Sequence, residues 1–108
     1  MLIIKAKIMF FSPKESSPKS DGICTKNILR PAFNFGEGLL FSGTIKNDST
    51  NEKYLYQSSY VVEVEFPTIE DEAYEAIQPL IKIGMNLNIQ NASRIIGEAK
   101  LLDYIYKG

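Results

Sequence analysis

Three features of this chain predict an all-β domain with one short helix. Apolar and polar residues alternate with period two in six or seven short runs, and polar or glycine-containing breaks separate those runs. In a single stretch the apolar residues instead recur every four positions. The 108 residues suit one domain spanning 1–108, and 44% apolar with 11% aromatic residues is enough to build a core without disulfide or metal staples. These features alone leave a closed antiparallel barrel and a two-sheet sandwich both open.

The first strand is expected over Lys5 to Phe11, where Ala6, Ile8 and Phe10 share one face and Lys5 and Lys7 the other. Met1 to Ile4 belongs to the same strand. With two lysines interrupting it, the start lacks the uninterrupted apolar core of about 7–15 residues and the cleavage site of a signal peptide. No other stretch is long and apolar enough to span a bilayer, so a soluble, cytoplasmic chain is expected. The sequons at Asn47 and Asn91 therefore carry no weight.

Ser12 to Lys26 holds two prolines, a glycine and many Ser and Lys residues, and is predicted as a loop. Phe33 and Phe35 share a face. After the Gly36-Glu37-Gly38 turn, Leu39 to Ile45 forms a short strand, and Lys46 to Lys53 is an exposed polar connection. Tyr60, Val62, Val64 and Phe66 point inward, with Glu63 and Glu65 on the wet side. Ile69, Ala73, Ile77 and Ile81 mark the helix near 69–78. Thr68 is its expected cap, paired with Asp71, and Glu70, Asp71 and Glu72 occupy the first turn, where the helix dipole favours anions. Pro79 ends the helix near Ala76 to Gln78, because the residue before a proline avoids helical angles. Gly84 turns the chain into the cleanest alternation, Met85, Leu87 and Ile89 against Asn86, Asn88 and Gln90. The last strand runs from Arg94 to about Tyr104.

The chemistry-bearing residues exclude more than they support. The chain has no histidine, which removes Ser-His-Asp and Cys-His catalysis and histidine-bound metal sites. Its one cysteine, Cys24, has no partner for an internal disulfide, which points to a reducing compartment. Lys19 and Lys26 lie near it in sequence, but no base or resolving thiol accompanies it. The run Glu70-Asp71-Glu72 with Glu75 lacks the spaced donors and glycine of a calcium loop, so it reads as a solvated helix start or a protein-binding face. Gly36-x-Gly38 has no third glycine and no following helix, which rules out a nucleotide loop. Glu63 and Glu65 are the wet side of a strand rather than a glycosidase pair. With a net charge of −1 there is no broad cationic field for nucleic acid. The aromatics are expected to line the core, with Tyr54 and Tyr56 the exposed pair.

Three segments, Ile28-Leu29-Arg30-Pro31-Ala32-Phe33-Asn34-Phe35, Ser42-Gly43-Thr44-Ile45 and Ser93-Arg94-Ile95-Ile96-Gly97-Glu98-Ala99, occur in the order and spacing of a known barrel. They resemble the Tyr-Arg-Pro-x-Phe-x-Phe, Thr-Gly-x-Ile and Arg-Thr-Val-Gly-x-Gly strands of domain III, the C-terminal barrel of the elongation factor Tu family. The resemblance covers nearly the whole chain and implies a six-stranded antiparallel barrel of the translation-protein type. The GTP chemistry of that family lies in another domain, so the resemblance implies no enzymatic activity and no cofactor.

In the family this barrel touches its sister domains and the T stem of aminoacyl-tRNA. The residues matched to those contacts differ here. Asp21-Gly22-Ile23-Cys24 stands for Gly-Gly-Arg-His, Ala32 for the polar residue after Arg-Pro, and Phe66 for a lysine, while Ser42 keeps a hydroxyl and Arg94 its arginine. Since phosphates are held mainly by Arg and Lys, the resemblance implies that elongator-like tRNA binding is lost. Arg30 either pairs with an acid across the barrel mouth or serves the surface.

The expectation is a non-catalytic protein-binding barrel, such as an immunity, decoy or translation-associated module, whose partner is a basic protein or toxin. Candidate partner-binding residues are Glu63, Glu65, Glu70, Asp71 and Glu75, with Arg30 and Arg94 beside them. No metal, cofactor, membrane or small-molecule substrate is expected. The alternative is a small RNA- or tRNA-binding accessory domain.

Overall fold

The computed structural model describes residues 1–13, 21–25, 29–46 and 52–108. Among the described residues nine strands and one helix follow in chain order: β1 (Leu2–Phe10), β2 (Gly22–Cys24), β3 (Ala32–Asn34), β4 (Leu40–Ser42), β5 (Thr44–Ile45), β6 (Lys53–Leu55), β7 (Ser59–Phe66), α1 (Asp71–Ile77), β8 (Asn86–Asn91) and β9 (Arg94–Tyr106). Seven strands form one antiparallel sheet in the order β4-β3-β8-β9-β1-β7-β5, and β2 pairs with β6 in a separate ribbon.

The first and last strands of the large sheet are two parts of one extended segment, separated only by Gly43. β4 pairs with β3, Phe33 opposite Phe41, and the ladder continues as Gly43 N–H donates to Pro31 C=O and Ile45 N–H to Leu29 C=O, both at 2.9 Å. On its other edge Thr44 faces Glu65 and Ile45 faces Val64 of β7. The sheet therefore curls into a nearly closed barrel with a short seam, and counting residues 40–45 once makes its seven strands a six-stranded ring. Closure removes the exposed edges that an open sheet of this size must otherwise protect.

The alternating pattern fills the ring. Leu2, Ile4, Ala6, Ile8 and Phe10 of β1 are buried together with Val62, Val64 and Phe66 of β7, Leu87 and Ile89 of β8, and Ala99 and Leu101 of β9. Lys5, Lys7 and Glu63 are exposed on the outer wall. Phe66 stands edge-on to both Phe33 and Phe35 with ring centroids 5.3 Å apart in each case, an arrangement that aromatic quadrupoles favour. β9 shifts register against β1 between Lys5 and Ala6 and against β8 between Ile89 and Gln90. Such irregularities sharpen local twist and help a small sheet to close. At Gly97 the two strands come so close that a Cβ would lie 2.5 Å from the carbonyl oxygen of Met9.

Each end of the ring is capped by a different piece. The β2–β6 ribbon covers the end where β1 finishes: Tyr54 is only 1% exposed, its ring 6.3 Å from that of Phe10 and 5.0 Å from that of Tyr60. At the other end Ile69, Ile77 and Ile81 are buried, so α1 and its flanks form a plug. With 7 residues, α1 is far shorter than the roughly 12–15 an isolated helix needs, and its packing holds it in place.

Five expectations are corrected. The Ser12–Lys26 stretch contains strand β2, because Gly22 meets the backbone of Tyr54 and Leu55 more closely than a side chain would allow. The predicted Leu39–Ile45 strand is divided at Gly43. The N-cap of α1 is Glu70, not Thr68, and no side chain bonds the cap, since Asp71 is engaged by Tyr106. Gln90 is buried rather than solvated, because its amide is tied on both sides: Oε1 accepts from Asn34 Nδ2 at 3.1 Å and Nε2 donates to the Ala92 carbonyl at 3.2 Å. The last strand also extends past Tyr104 to Tyr106. Most of the Lys46–Lys53 connection, together with Lys19 and Lys26, lies outside the described residues.

Candidate interaction surfaces

The predicted partner-binding residues fall at the two opposite ends of the barrel and on its wall. Glu70, Asp71 and Glu75 lie on or beside α1, and Glu63 and Glu65 lie on the outer wall along β7, which leads into it. Arg30 and Arg94 sit at the ribbon end, just before β3 and at the start of β9.

At the helix end the acids differ in what they do. The Glu70 carboxylate is 3.1 Å from the Met1 amino group. Asp71 accepts a 2.6 Å hydrogen bond from the Tyr106 hydroxyl, and the Tyr106 ring lies flat on Tyr74 with centroids 4.0 Å apart and planes 4° from parallel. The bond to Asp71, helped by desolvation and the nearby negative charge, pushes the Tyr106 phenol up to about 12. Glu72 and Glu75 are exposed. On the wall, Glu65 is half-buried and pairs with Lys46 at 3.5 Å, and Glu63 lies opposite Lys5, which in turn faces Asp103. The wall acids therefore alternate with cations, whereas Glu72 and Glu75 on the helix take part in no ion pair among the described residues. Glu72, a member of the acidic run but not of the predicted set, is better placed than Glu63 or Glu65 to meet a partner.

The ribbon end holds a cleft of about 410 Å³ floored by Phe10, Ile23, Leu29 and Ile96, with Arg30, Ser42 and Gln90 on its walls. A second depression shares Phe10, Ile23 and Ile96 and is bordered by Arg94 and Tyr56. Among the described residues Arg30 and Arg94 are the only charged ones lining the two, and both are exposed. Among the described residues the ion pairs are Met1–Glu70, Lys46–Glu65 and Lys53–Asp21, so the pairing of Arg30 with an acid across the mouth is not seen there. The Asp21 carboxyl is held below its usual range by its hydrogen bond to Lys53.

Tyr54 and Tyr56, expected as an exposed aromatic pair, are buried and half-buried respectively, because β6 turns Tyr54 onto the barrel end. Cys24 is an exposed, free thiol on β2, opposite Lys53. Among the described residues no three Cys, Asp or Glu side chains gather as a metal site would require, and no helix is long and apolar enough to cross a membrane. No protein-family model and no curated protein matches this chain.

Proposed function

We propose that this chain is a non-catalytic, protein-binding barrel of the elongation factor Tu domain III kind, acting in the cytoplasm, which receives a basic partner on its acidic helix end. The observation that carries the reading is the division of labour on α1. Its apolar side is committed to plugging the barrel, while Glu72 and Glu75 face outward and no described hydrogen bond or ion pair engages them. Exposed carboxylates on a rigidly seated element attract and orient a cationic surface, chiefly by raising its association rate. The six-stranded ring, with the Arg30-Pro31 and Ser42-Gly43 segments paired against each other, supports the kinship with the elongation-factor barrel. An immunity or decoy role, in which the partner is a toxin or translation component that also recognises such a barrel, fits this reading.

The test is quantitative affinity capture from cell extract with wild type and Glu72→Gln/Glu75→Gln, a pair that leaves the Asp71–Tyr106 and Glu70–Met1 contacts intact. Loss of a specific basic protein from the variant is expected, and equal recovery on both baits refutes the acidic-end reading. If instead the wild type retains tRNA with an affinity that falls log-linearly with salt, the RNA-accessory alternative replaces it.

A further inference from the structure

The cleft at the opposite end of the barrel differs from the helix end in charge and in lining. Its floor is Phe10, Ile23, Leu29 and Ile96, and its volume of about 410 Å³ falls within the roughly 300–1,000 Å³ typical of ligand sites. One wall is fixed by Gln90, buried and hydrogen-bonded to both Asn34 and Ala92, and Ala92 itself adopts φ 55° at the rim. A non-glycine residue in that region is strained, so this wall is held in place rather than free to collapse. Although the chain as a whole carries −1, among the described residues every charged side chain lining the cleft and its neighbour is an arginine.

We propose that this cleft is a second binding site, which takes an extended peptide segment of a partner protein carrying Leu, Ile or Phe beside Asp or Glu. The apolar side chain settles on the Phe10–Ile23–Ile96 floor, and its carboxylates meet Arg30 on one side and Arg94 on the other. Arginine suits this role because its planar fork donates two parallel hydrogen bonds to a carboxylate. Single-stranded nucleic acid fits less well. It needs exposed aromatic faces for stacking and a run of cations along the backbone, whereas Phe10 is 2% exposed and, among the described residues, two cations line the cleft and its neighbour. The site does not depend on the acidic helix and stands or falls separately from it.

Random-peptide display panned on the full chain, with Arg30→Gln/Arg94→Gln as counter-target, tests this. Wild type is expected to enrich peptides pairing an acid with a large apolar residue. In fluorescence polarisation a labelled winner should lose about tenfold in affinity on the double variant, as charge-assisted hydrogen bonds predict. The same loss is expected on wild type when the peptide's Asp or Glu becomes Asn or Gln, an arm that needs no protein variant. Absence of any consensus, or binding indifferent to both the arginines and the carboxylates, overturns the proposal. So does preferential binding of oligo-uridylate, or a dimer of this chain abolished by the arginine changes.

Discussion

Replacing Gly43 with alanine probes the seam on which ring closure rests. A Cβ there would lie 2.6 Å from Val64 Cγ1 and 2.7 Å from Phe66 Cε1, both on fully buried side chains. The Phe66 ring has little room to retreat, wedged as it is between Phe33 and Phe35 at 5.3 Å from each. Overpacking of this kind costs about 1–3 kcal/mol. The backbone at Gly43 lies outside the left-handed region, so alanine also stiffens the unfolded chain, which returns about 0.4–1 kcal/mol. The expected net loss is about 1–2 kcal/mol, or a fall in Tm of about 5–15 °C for a domain of this size. Urea unfolding followed by circular dichroism measures it, with an unchanged m-value showing that the two-state transition is preserved. Val64→Ala removes the nearest of the three clashing atoms. The double variant should therefore be more stable than the sum of the single losses predicts, by about 0.5 kcal/mol or more. Gly43→Ala at or above wild-type stability, or strict additivity in the double variant, would refute the seam argument.

Ile77→Ala is expected to cost about 2–5 kcal/mol, because it hollows the plug of a fully buried side chain; a loss below about 1 kcal/mol in the same urea assay would show that α1 is dispensable to the barrel. Tyr106 provides a pH signature. Its phenol is raised above the ordinary value of 10.0, so the stability it contributes is complete below pH 10 and is lost as pH rises toward about 12. Absorbance titration should show a late tyrosinate step that Tyr106→Phe or Asp71→Asn diminishes. Asp21, lowered by Lys53, acts in the opposite direction: its contribution is present above its ordinary value of 3.8 and disappears as pH falls through its lower native value, so Asp21→Asn should flatten that acid limb. Cys24 should react stoichiometrically with a thiol reagent in the native state, since it is exposed.

The wall of the barrel was legible because each of its long strands has one wet face. Alternation in β1, β7 and β8 identifies Ile4, Ile8, Val64, Phe66, Leu87 and Ile89 as inward without reference to any partner. The ribbon was not legible. β2 is three residues long, lies in a stretch with loop composition, and is held by contacts with β6 far along the chain. The cleft depends on that ribbon through Ile23 and on the Gln90 wall, so it could not be read from local pattern. Arg30 and Arg94, 64 positions apart, gave no sign that they flank one apolar floor. The helix was visible from its four-residue spacing, but its cap was not, because Asp71 is recruited by a tyrosine 35 positions away.

The ring's hydrogen-bond ladder is made without either cap. β2 and β6 bond to each other outside the large sheet, and α1 contributes nothing to it. Substitutions on the lids are thus charged only for the local contacts they disturb, while the staves keep their register. Such a construction lets the two mouths diverge independently, one toward cations and the other toward anions, without renegotiating the frame between them.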